Sequence, residues 1–433
     1  MNYSKIPIVG NIYRKIKENN DFLKNQIALL KNENIKSRFY FKNKLNEKIN
    51  VVFVCWRPAI WGSLKTVYEE MSKDDCFSVK ILVIPNKKEL PDLGWNHNEF
   101  YSEGGEKFWK GENIIQGYNY ESHNWLDLKF LNPDYVFFQQ PYNNQRPSHL
   151  NSSIVSSYAK ICYVAYYAFF NSNTNDYINE GCTPEDFMKD VSYYFSQNQA
   201  DFDFITSKMK RINNTTVSVI NSGFPRYDSL ESLRKSNNNK NKFNILWTPR
   251  WALDEGNCHF FVYKDNFLSL CMKDSDIDLV LRPHPQAFLN YIATGAISAE
   301  KLEEYKNKIE KIENARIDYS ESYIETFNYS DCLITDTSSM VAEYFLTGKP
   351  IIYCYNKNSI NSFSKSSGYT SSFYFVETWE ELLETLYMLK SGNDPLQKTR
   401  KEFIDSDFYL PKEGSGKIIK EIIKNDFKGE INV

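Results

Sequence analysis

Two short segments in the last third of the chain combine residue types that bind anions. Arg282 and His284 stand in the string RPHP, between two prolines that stiffen the turn. Further along, the string TDTSS at 335–339 supplies one carboxylate among four hydroxyls. Guanidinium groups and hydroxyl clusters are groups with which proteins hold phosphate oxygens. The two segments therefore predict a phosphate site.

Each of these segments follows a predicted strand. The apolar run Cys332–Ile334 precedes TDTSS, and the run Asp278–Leu281 precedes RPHP. A third run, Asn244–Trp247, is followed by Thr248 and Arg250. Ligands of open α/β sheets bind beyond the carboxyl ends of the parallel strands. We therefore predict that the three strand ends converge on one crevice.

The hydroxyls of TDTSS are also typical of a helix N-cap. The segment Met340–Thr347 that follows has helical character, ends at Gly348 and gives way to the apolar run Ile351–Tyr355, which is the order of a βαβ unit. A helix N-terminus offers unpaired N–H groups and a positive dipole end to a phosphate. The alternative is that these Ser and Thr residues cap the helix and bind nothing.

Four segments, taken in their order along the chain, resemble a known family. They are GFPRYDSL (223–230), ILWTPRW (245–251), LRPHP (281–285) and SDCLITDTSSMVAEYF (330–345) with its trailing GKPIIYC. Together they are similar to the CDP-glycerol glycerophosphotransferases, which build teichoic acids and related capsular polymers. The similar region covers roughly residues 220 to 356.

The resemblance implies a GT-B fold, in which two Rossmann-like domains face each other across a cleft and the C-terminal domain holds the donor nucleotide. It implies that glycerol phosphate, or a related polyol phosphate, moves from a CDP-activated donor to a hydroxyl of a cell-surface polysaccharide or a lipid-linked acceptor. Arg282 and His284 would face the donor diphosphate, and Glu343 would lie near the ribose or the base. The residues expected to bind the donor are Thr248, Arg250, Arg282, Asp336, Thr337, Ser338, Ser339 and Glu343.

The N-terminal half departs from the family's pattern. Polymerases and primases of the family usually carry a WHGTPLK-like string with a histidine that acts as a base, whereas this chain reads KICYVAYYAFF at 160–170, without histidine. His149, in a polar loop after the predicted strand Tyr135–Gln139, is our candidate for the base; the alternative is a surface histidine without a role. His284 is the second catalytic candidate, either as a base or as a donor to the departing phosphate.

The predicted reaction requires neither a metal nor an organic cofactor. Arg282, Arg250 and the helix N-terminus can stabilise the released nucleotide monophosphate. The acidic string DSDID at 274–278 reads as a surface turn before a strand, and no GxGxxG follows the first strand. Two other functions stay open: a glycosyltransferase of the same architecture that uses a nucleotide-sugar, and a catalytically silent scaffold.

The length of 433 residues predicts more than one domain. We predict a basic N-terminal segment at 1–48, an N-terminal Rossmann-like acceptor domain at 49–225 and a C-terminal donor domain at 226–433. By analogy, the last helix is expected to pack back on the N-terminal domain. Predicted strands of the acceptor domain are Val51–Trp56, Val79–Pro85, Tyr135–Gln139, Ile161–Tyr166 and Asp203–Ser207.

The cysteines, the apolar runs and the distribution of charge predict the location of the protein in the cell. Eight scattered cysteines without a CxxC pair, no apolar run of spanning length and no signal peptide favour a cytoplasmic protein. The net charge of −3 gives no indication of nucleic-acid binding. Residues 1–50, however, hold eleven Lys or Arg against four Asp or Glu. Within them, apolar residues recur at roughly helical spacing: Ile16, Leu23, Ile27, Leu30 and Ile35.

This leader predicts an amphipathic helix on the anionic inner face of the cell membrane, which would bring the enzyme to a membrane-linked acceptor. The alternative is a helix that packs on the protein or on a second copy, with its lysines in solvent.

Overall fold

A computed structural model describes residues 7–87, 89–90, 92–102, 104–168, 180–230, 242–320, 323–338, 340–359, 362–365 and 368–430. The chain divides into two compact units. The first consists of Met1–Asp228 together with Tyr409–Val433, and the second consists of Ser229–Phe408. The chain therefore leaves the first unit once and returns to it near the C-terminus.

The first unit is built on a seven-stranded parallel sheet with the order β11-β10-β9-β8-β1-β2-β5. Two antiparallel pairs, β3 with β4 and β6 with β7, lie in the segment between β2 and β8. The strands of this unit are β1 Ile49–Cys55, β2 Phe77–Val83, β3 Asn86–Lys87, β4 Phe100–Tyr101, β5 Ile114–Gln116, β6 Tyr118–Asn119, β7 Asn124–Trp125, β8 Tyr135–Phe138, β9 Lys160–Val164, β10 Val191–Ser196 and β11 Ser218–Asn221.

The second unit contains a six-stranded parallel sheet with the order β14-β13-β12-β15-β16-β17. Its strands are β12 Phe243–Thr248, β13 Ile277–Leu281, β14 Ala315–Ile317, β15 Cys332–Thr335, β16 Ile351–Cys354 and β17 Tyr374–Val376. Counted within the unit, this is the order 3-2-1-4-5-6 of a doubly wound Rossmann sheet, which changes direction between the first and fourth strands. That switch point lies between β12 and β15, and it is where such sheets bind ligands.

Helices connect and cover the strands in both units. They are α1 Pro7–Lys44, α2 Gly62–Ser72, α3 Gly105–Phe108, α4 Ser152–Val155, α5 Glu185–Met188, α6 Gln199–Arg211, α7 Pro225–Asp228, α8 Phe260–Lys273, α9 Ala287–Ala293, α10 Ala299–Glu310, α11 Ile324–Tyr329, α12 Met340–Phe345, α13 Trp379–Lys390, α14 Gln397–Asp407 and α15 Ser415–Lys428.

The continuous apolar runs became strands because parallel strands are buried on both faces. All four residues of β8 and all four of β15 are buried, as are the five of β9. The predicted α/β class with Rossmann-like parallel sheets is therefore confirmed. The predicted strands in the second unit agree with β12, β13, β15 and β16 to within one or two residues.

One predicted strand was wrong. Asp203–Ser207 lies inside the helix α6, whose N-cap Asn198 accepts a hydrogen bond from the backbone N–H of Asp201. The buried residues of α6 recur at helical spacing, which the sequence-based interpretation missed: they are Asp201, Ile205, Lys208 and Met209. The helix α6 connects β10 to β11, which is the last strand of this unit and lies at one edge of the sheet.

Both chain ends contribute a helix to the first unit. Phe39 of α1 packs against Tyr135 of β8 and Phe427 of α15, with ring centroids 5.3 and 4.9 Å apart. The ammonium of Lys42 lies 2.5 Å from the buried carboxylate of Asp134. The C-terminal half of α1 is thus anchored to the sheet by both apolar and ionic contacts.

None of the described helices is both long enough and apolar enough to span a membrane. All eight cysteines have free thiols, and five of them are buried. The structure therefore gives these cysteines no cross-linking role.

Candidate active site

The strands on either side of the switch point are joined by two threonines. Thr248 ends β12 and pairs in register with Thr335 of β15. The Thr248 hydroxyl donates to Thr335 Oγ1 at 2.7 Å, and the Thr335 hydroxyl lies 3.0 Å from the Thr248 carbonyl oxygen. Both side chains are buried. The hydroxyl of Thr248, predicted to bind the donor, therefore joins the two strands in this structure.

Asp336 connects the two loops that follow these strands. Its Oδ2 accepts the backbone N–H of Arg250 at 2.8 Å and that of His259 at 3.1 Å. Its Oδ1 lies 2.5 Å from Nδ1 of the His259 ring. The carboxylate is only 1% exposed, so its protein partners take up its hydrogen-bonding capacity. Asp336 thus fixes the loop after β12 and the start of α8 against the loop after β15.

The side chain of Arg250 reaches the TDTSS loop. Its Nη1 donates to the carbonyl of Thr337 at 3.2 Å, while Nε and Nη2 donate to the two carboxylate oxygens of Glu255 at 2.8 and 2.7 Å. This bidentate arrangement is the strong form of an arginine–carboxylate pair. The predicted donor-binding cation is therefore next to the predicted phosphate loop and already carries a carboxylate.

Arg282, at the end of β13, is also paired. Its Nη1 lies 2.6 Å from Asp318, and its Nη2 donates to the carbonyl of Ser320 at 2.7 Å. Burial raises the pKa of Asp318, but hydrogen bonds from Ser320, Thr326 and Arg282 outweigh it and lower that pKa to about 2. Asp318 is therefore a permanent anion that orients the Arg282 guanidinium.

His284 has a defined tautomer when it is neutral. Its Nδ1 accepts the backbone N–H of Gln286 at 3.2 Å, so in the neutral ring the proton is on Nε2. The ring stacks on Trp251 at a centroid distance of 5.6 Å. Partial desolvation of the ring and the positive charge of Arg250 lower the pKa of His284. The neutral ring therefore presents an N–H donor, and not a lone pair, at Nε2.

The TDTSS loop itself ends in a helix cap. Ser338 Oγ accepts the backbone N–H of Met340 at 3.3 Å, and the Thr337 hydroxyl lies 2.6 Å from the Tyr353 hydroxyl of β16. Glu343 is buried in α12. Ser339 lies outside the described residues. Ser338 therefore accepts a hydrogen bond from the first residue of α12. The donor contacts of Thr337, Ser338, Ser339 and Glu343 stay a prediction.

Cys354 stands beside the histidine–aspartate pair. Ligand atoms of His259, Asp336 and Cys354 lie within 4.8 Å of one another. The oxygens of Asp336 already accept hydrogen bonds from the protein, and burial raises the pKa of the Cys354 thiol well above its usual range. In this arrangement the three groups form a hydrogen-bonded and packed junction, and metal independence stays a prediction.

The lysine of the GKPIIYC segment has a structural role. Lys349 Nζ donates to the carbonyls of Phe327, Asn328 and Ser330 at 2.6, 3.0 and 2.7 Å. These carbonyls belong to the end of α11 and the residue that follows it, where a cation offsets the negative end of the helix dipole. This motif residue therefore stabilises the turn before β15.

His149 lies in the first unit, in the 3-10 turn Ser148–Leu150 after β8. Its ring packs edge-on against Trp125 at 5.6 Å, and Nε2 is buried without a hydrogen-bond partner. Desolvation lowers the pKa of His149, although the charge of Asp127 and a backbone hydrogen bond at Leu126 act in the opposite direction. The ring is therefore neutral and half-buried, and its role as a base stays a prediction.

The buried Gln139 shapes the corresponding switch point of the first unit. Its Oε1 accepts the backbone N–H groups of Trp56 and Arg57 at 3.0 and 2.9 Å, and its Nε2 donates to the Arg57 carbonyl at 2.7 Å. One side chain thereby joins the carboxyl ends of β8 and β1. Gln139 therefore fixes the backbone of Arg57, which follows β1, at the carboxyl edge of this sheet.

Sequence reasoning missed three residues that organise the candidate site: His259, Glu255 and Asp318. Glu255 and His259 follow Arg250 by five and nine positions, and Asp318 follows Arg282 by 36 positions. Only the charge of each residue type was visible in the sequence. Their pairing with Asp336, Arg250 and Arg282 depends on how the loops fold over the sheet.

A comparison with protein-family profiles matches residues 171–422, more than half of the chain, to the CDP-glycerol:poly(glycerophosphate) glycerophosphotransferase profile. No curated protein sequence matches the chain.

Solved structures with the same architecture include the wall teichoic acid polymerase TagF. One TagF structure is 16% identical over 95% of this chain and 99% of the polymerase chain, with a TM-score of 0.54. Another, soaked with CDPG, is 16% identical over 95% and 98% of the two chains, with a TM-score of 0.55. The UDP-GlcNAc 2-epimerase from Neisseria meningitidis bound to UDP-GlcNAc is 13% identical over 88% and 100%, with a TM-score of 0.56. At these identities the likeness establishes the fold, which is of the GT-B type.

Proposed function

Since the chain belongs to the CDP-glycerol:poly(glycerophosphate) glycerophosphotransferase family, we propose that the carboxyl ends of β12, β13 and β15 bind the diphosphate of its CDP-glycerol donor. The protein is a transferase that moves glycerol phosphate from that donor to a hydroxyl group. The acceptor proposed here is a cell-surface polysaccharide or a lipid-linked chain.

One observation carries the assignment of the donor site. Asp336 accepts hydrogen bonds from both Arg250 and His259, and thereby brings the loop after β12 onto the TDTSS loop after β15. Arg282 leaves the adjacent strand β13 at the same edge. The Arg250 guanidinium and the hydroxyl-rich TDTSS loop are thus next to each other at the switch point, where Rossmann sheets bind nucleotides, and Arg282 lies one strand away.

The chemistry proposed at this site is an in-line displacement. The acceptor oxygen attacks the phosphorus that bears the glycerol, the bond from that phosphorus to the bridging oxygen breaks, and CMP departs with the bridging oxygen and its electron pair. Negative charge therefore develops on the phosphate of CMP. Arg250 and Arg282 are the cations that stabilise it.

His284 acts in this proposal as a hydrogen-bond donor. Because Nδ1 accepts from Gln286, Nε2 carries the proton and can donate to a phosphate oxygen. Of the two roles open for His284, this geometry favours the donor over the base. The acceptor proton then requires another base, for which His149 stays the candidate predicted from the sequence.

Contact with an anionic membrane is the second part of the proposal. Leu23, Ile27, Leu30 and Phe41 lie along one side of α1 at helical spacing, and each is more than 50% exposed. Ile35 and Phe39, which point to the other side, are buried against the first unit. An exposed apolar stripe on a helix rich in lysine fits the surface of an anionic bilayer.

The experiment that tests the donor assignment is a panel of CDP-glycerol, CDP-ribitol, UDP-sugars and CMP-sugars, with release of the nucleotide measured by mass spectrometry in the presence of a polyol-phosphate primer. We expect turnover of CDP-glycerol or another CDP-polyol. Turnover of a UDP- or CMP-sugar, without reaction of any CDP-polyol, would assign the protein to the glycosyltransferase alternative.

A further inference from the structure

The guanidinium of Arg250 is held by an anion from its own loop. Glu255, five residues further on, receives Nε and Nη2 on its two carboxylate oxygens at 2.8 and 2.7 Å. The two side chains are only 20% and 17% exposed, so solvent screens this pair weakly. A guanidinium binds phosphate with the same planar pair of donors that it offers to a carboxylate.

The same guanidinium lies where the donor phosphate is proposed to bind. Its Nη1 donates to the carbonyl of Thr337, the residue before Ser338. A phosphate at this loop would therefore meet both Arg250 and the carboxylate that Arg250 carries. Attraction by the arginine and repulsion by Glu255 would largely cancel while the pair stays closed.

In the proposed donor site as a whole, negative side chains also offset the positive ones. Two arginines, Arg250 and Arg282, stand among three carboxylates, Glu255, Asp318 and Asp336. A diphosphate diester adds two further negative charges. We therefore expect the diphosphate to bind more tightly when at least one carboxylate releases its arginine.

The carboxylate of the Arg282 pair is also held by other groups, since Asp318 accepts the backbone N–H of Ser320 at 2.9 Å and a hydrogen bond from the Thr326 hydroxyl at 2.5 Å. Glu255 lies in the loop between β12 and α8, directly before Gly256, whose φ of +73° gives the backbone a left-handed turn. The Arg250 pair is therefore the one carried by a single loop.

A second observation indicates that this loop is not in its most favourable arrangement. The side chain of Asn257 is fully buried, and neither its amide nitrogen nor its amide oxygen has a hydrogen-bond partner. A buried amide without partners destabilises the conformation that contains it. A change in the loop that moves Glu255 away from Arg250 would also give Asn257 the opportunity to find partners.

We propose that Glu255 is a competing anion which occupies Arg250 until the donor diphosphate displaces it, so that Glu255 sets the affinity and the selectivity of the enzyme for its doubly charged donor. This inference rests on the donor site of the proposed function. It makes Glu255 a residue that acts through Arg250, without a contact of its own to the reacting atoms.

The test compares the affinity for CDP-glycerol of the wild type, Glu255→Gln and Asp254→Asn by isothermal titration calorimetry. Both substitutions remove one negative charge from the loop, but Asp254 is exposed and lies one residue away from the pair. We expect Glu255→Gln to bind CDP-glycerol about tenfold more tightly, whereas Asp254→Asn changes the affinity by less than about twofold. Unchanged or weaker binding by Glu255→Gln, or equal tightening by both variants, would overturn the inference.

A double-mutant cycle identifies Arg250 as the route of the effect. If Glu255 competes for Arg250, Glu255→Gln has no effect on affinity in a protein that already carries Arg250→Gln. A tenfold gain that persists in that background would contradict the inference. Should Glu255→Gln fold poorly, Glu255→Ser removes the same charge, and the rise in melting temperature caused by CDP-glycerol gives a second measure of affinity.

The two proposals fail in different ways. A wild-type protein that binds no CDP-glycerol refutes the donor site itself. A wild-type protein that binds CDP-glycerol, together with a Glu255→Gln variant that binds it no better, refutes only the role of Glu255.

Discussion

The ring nitrogen Nδ1 of His259 lies 2.5 Å from Oδ1 of Asp336, and both side chains are buried. This pair joins the first residue before α8 to the loop after β15, two segments separated by 77 positions in the chain. The carboxylate also receives two backbone N–H groups. It therefore determines the relative positions of the groups that we assign to the donor site.

Removal of the Asp336 carboxylate should destabilise the protein and weaken donor binding. Asp336→Ala leaves two backbone N–H groups and the His259 ring without their acceptor, which we expect to cost about 3 kcal/mol in the free energy of unfolding. Urea unfolding measures this cost, with Asp276→Ala, an exposed carboxylate before β13, as the control. A loss below about 0.5 kcal/mol would show that Asp336 does not hold the loops.

Arg282→Ala should reduce donor affinity more than His149→Ala. The first substitution removes a cation and leaves Asp318 unpaired beside the proposed diphosphate, and we expect the Kd for CDP-glycerol to rise about thirtyfold or more. Calorimetry with CDP-glycerol measures the effect, and Arg316→Ala, an exposed arginine on the adjacent strand β14, serves as the matched control. Equal affinity in Arg282→Ala and His149→Ala would count against the site.

The charge of Arg250 should be visible in the titration of His284. Desolvation of the ring lowers the pKa of His284, and the positive charge of Arg250 lowers it further. Arg250→Gln should consequently raise that pKa, so that more of the ring is protonated near pH 6 than in the wild type. NMR of the histidine ring nitrogens follows the change. If the pKa of His284 stays the same or falls in Arg250→Gln, the charge of Arg250 does not act on the His284 ring.

Lys349 should contribute to stability and not to donor binding. Lys349→Met removes the ammonium from three carbonyls at the end of α11, and we expect a loss of about 1 to 2 kcal/mol in the free energy of unfolding. The Michaelis constant for CDP-glycerol should change less than about twofold. A large rise in that constant with unchanged stability would instead place Lys349 among the phosphate ligands.

The apolar stripe of α1 should be needed for membrane contact. Ile27→Ser combined with Leu30→Ser should reduce co-sedimentation with phosphatidylglycerol vesicles about tenfold or more, and added salt should weaken binding of the wild type. Leu289→Ser, which changes an exposed leucine of the second unit, is the control. Vesicle binding that survives the double substitution, accompanied by loss of a dimer in analytical ultracentrifugation, would assign the stripe to a second copy of the chain.

Much of the candidate site could be predicted from local patterns. Apolar runs identified β12, β13 and β15, and the polar residues after them identified which edge of the sheet matters, because the carboxyl ends of parallel strands share one edge. At Asp203–Ser207 the spacing of apolar residues did not distinguish a helix from a strand. There the structure has the helix α6, which is buried on one side only, and over five residues such a pattern fits either element.

The sequence alone determined the α/β class and the family, and it predicted the edge of the sheet to which we assign the phosphate site, since these depend on short apolar runs, on turn residues and on motifs that are contiguous in the chain. Only the tertiary structure decided that Thr248 bonds to Thr335, that Asp336 holds His259, and that Arg250 and Arg282 each carry a carboxylate. Those partners lie as few as 5 and as many as 87 positions apart. Hydrogen bonds and ion pairs act over a few ångströms in space, and the distance along the chain does not record that separation.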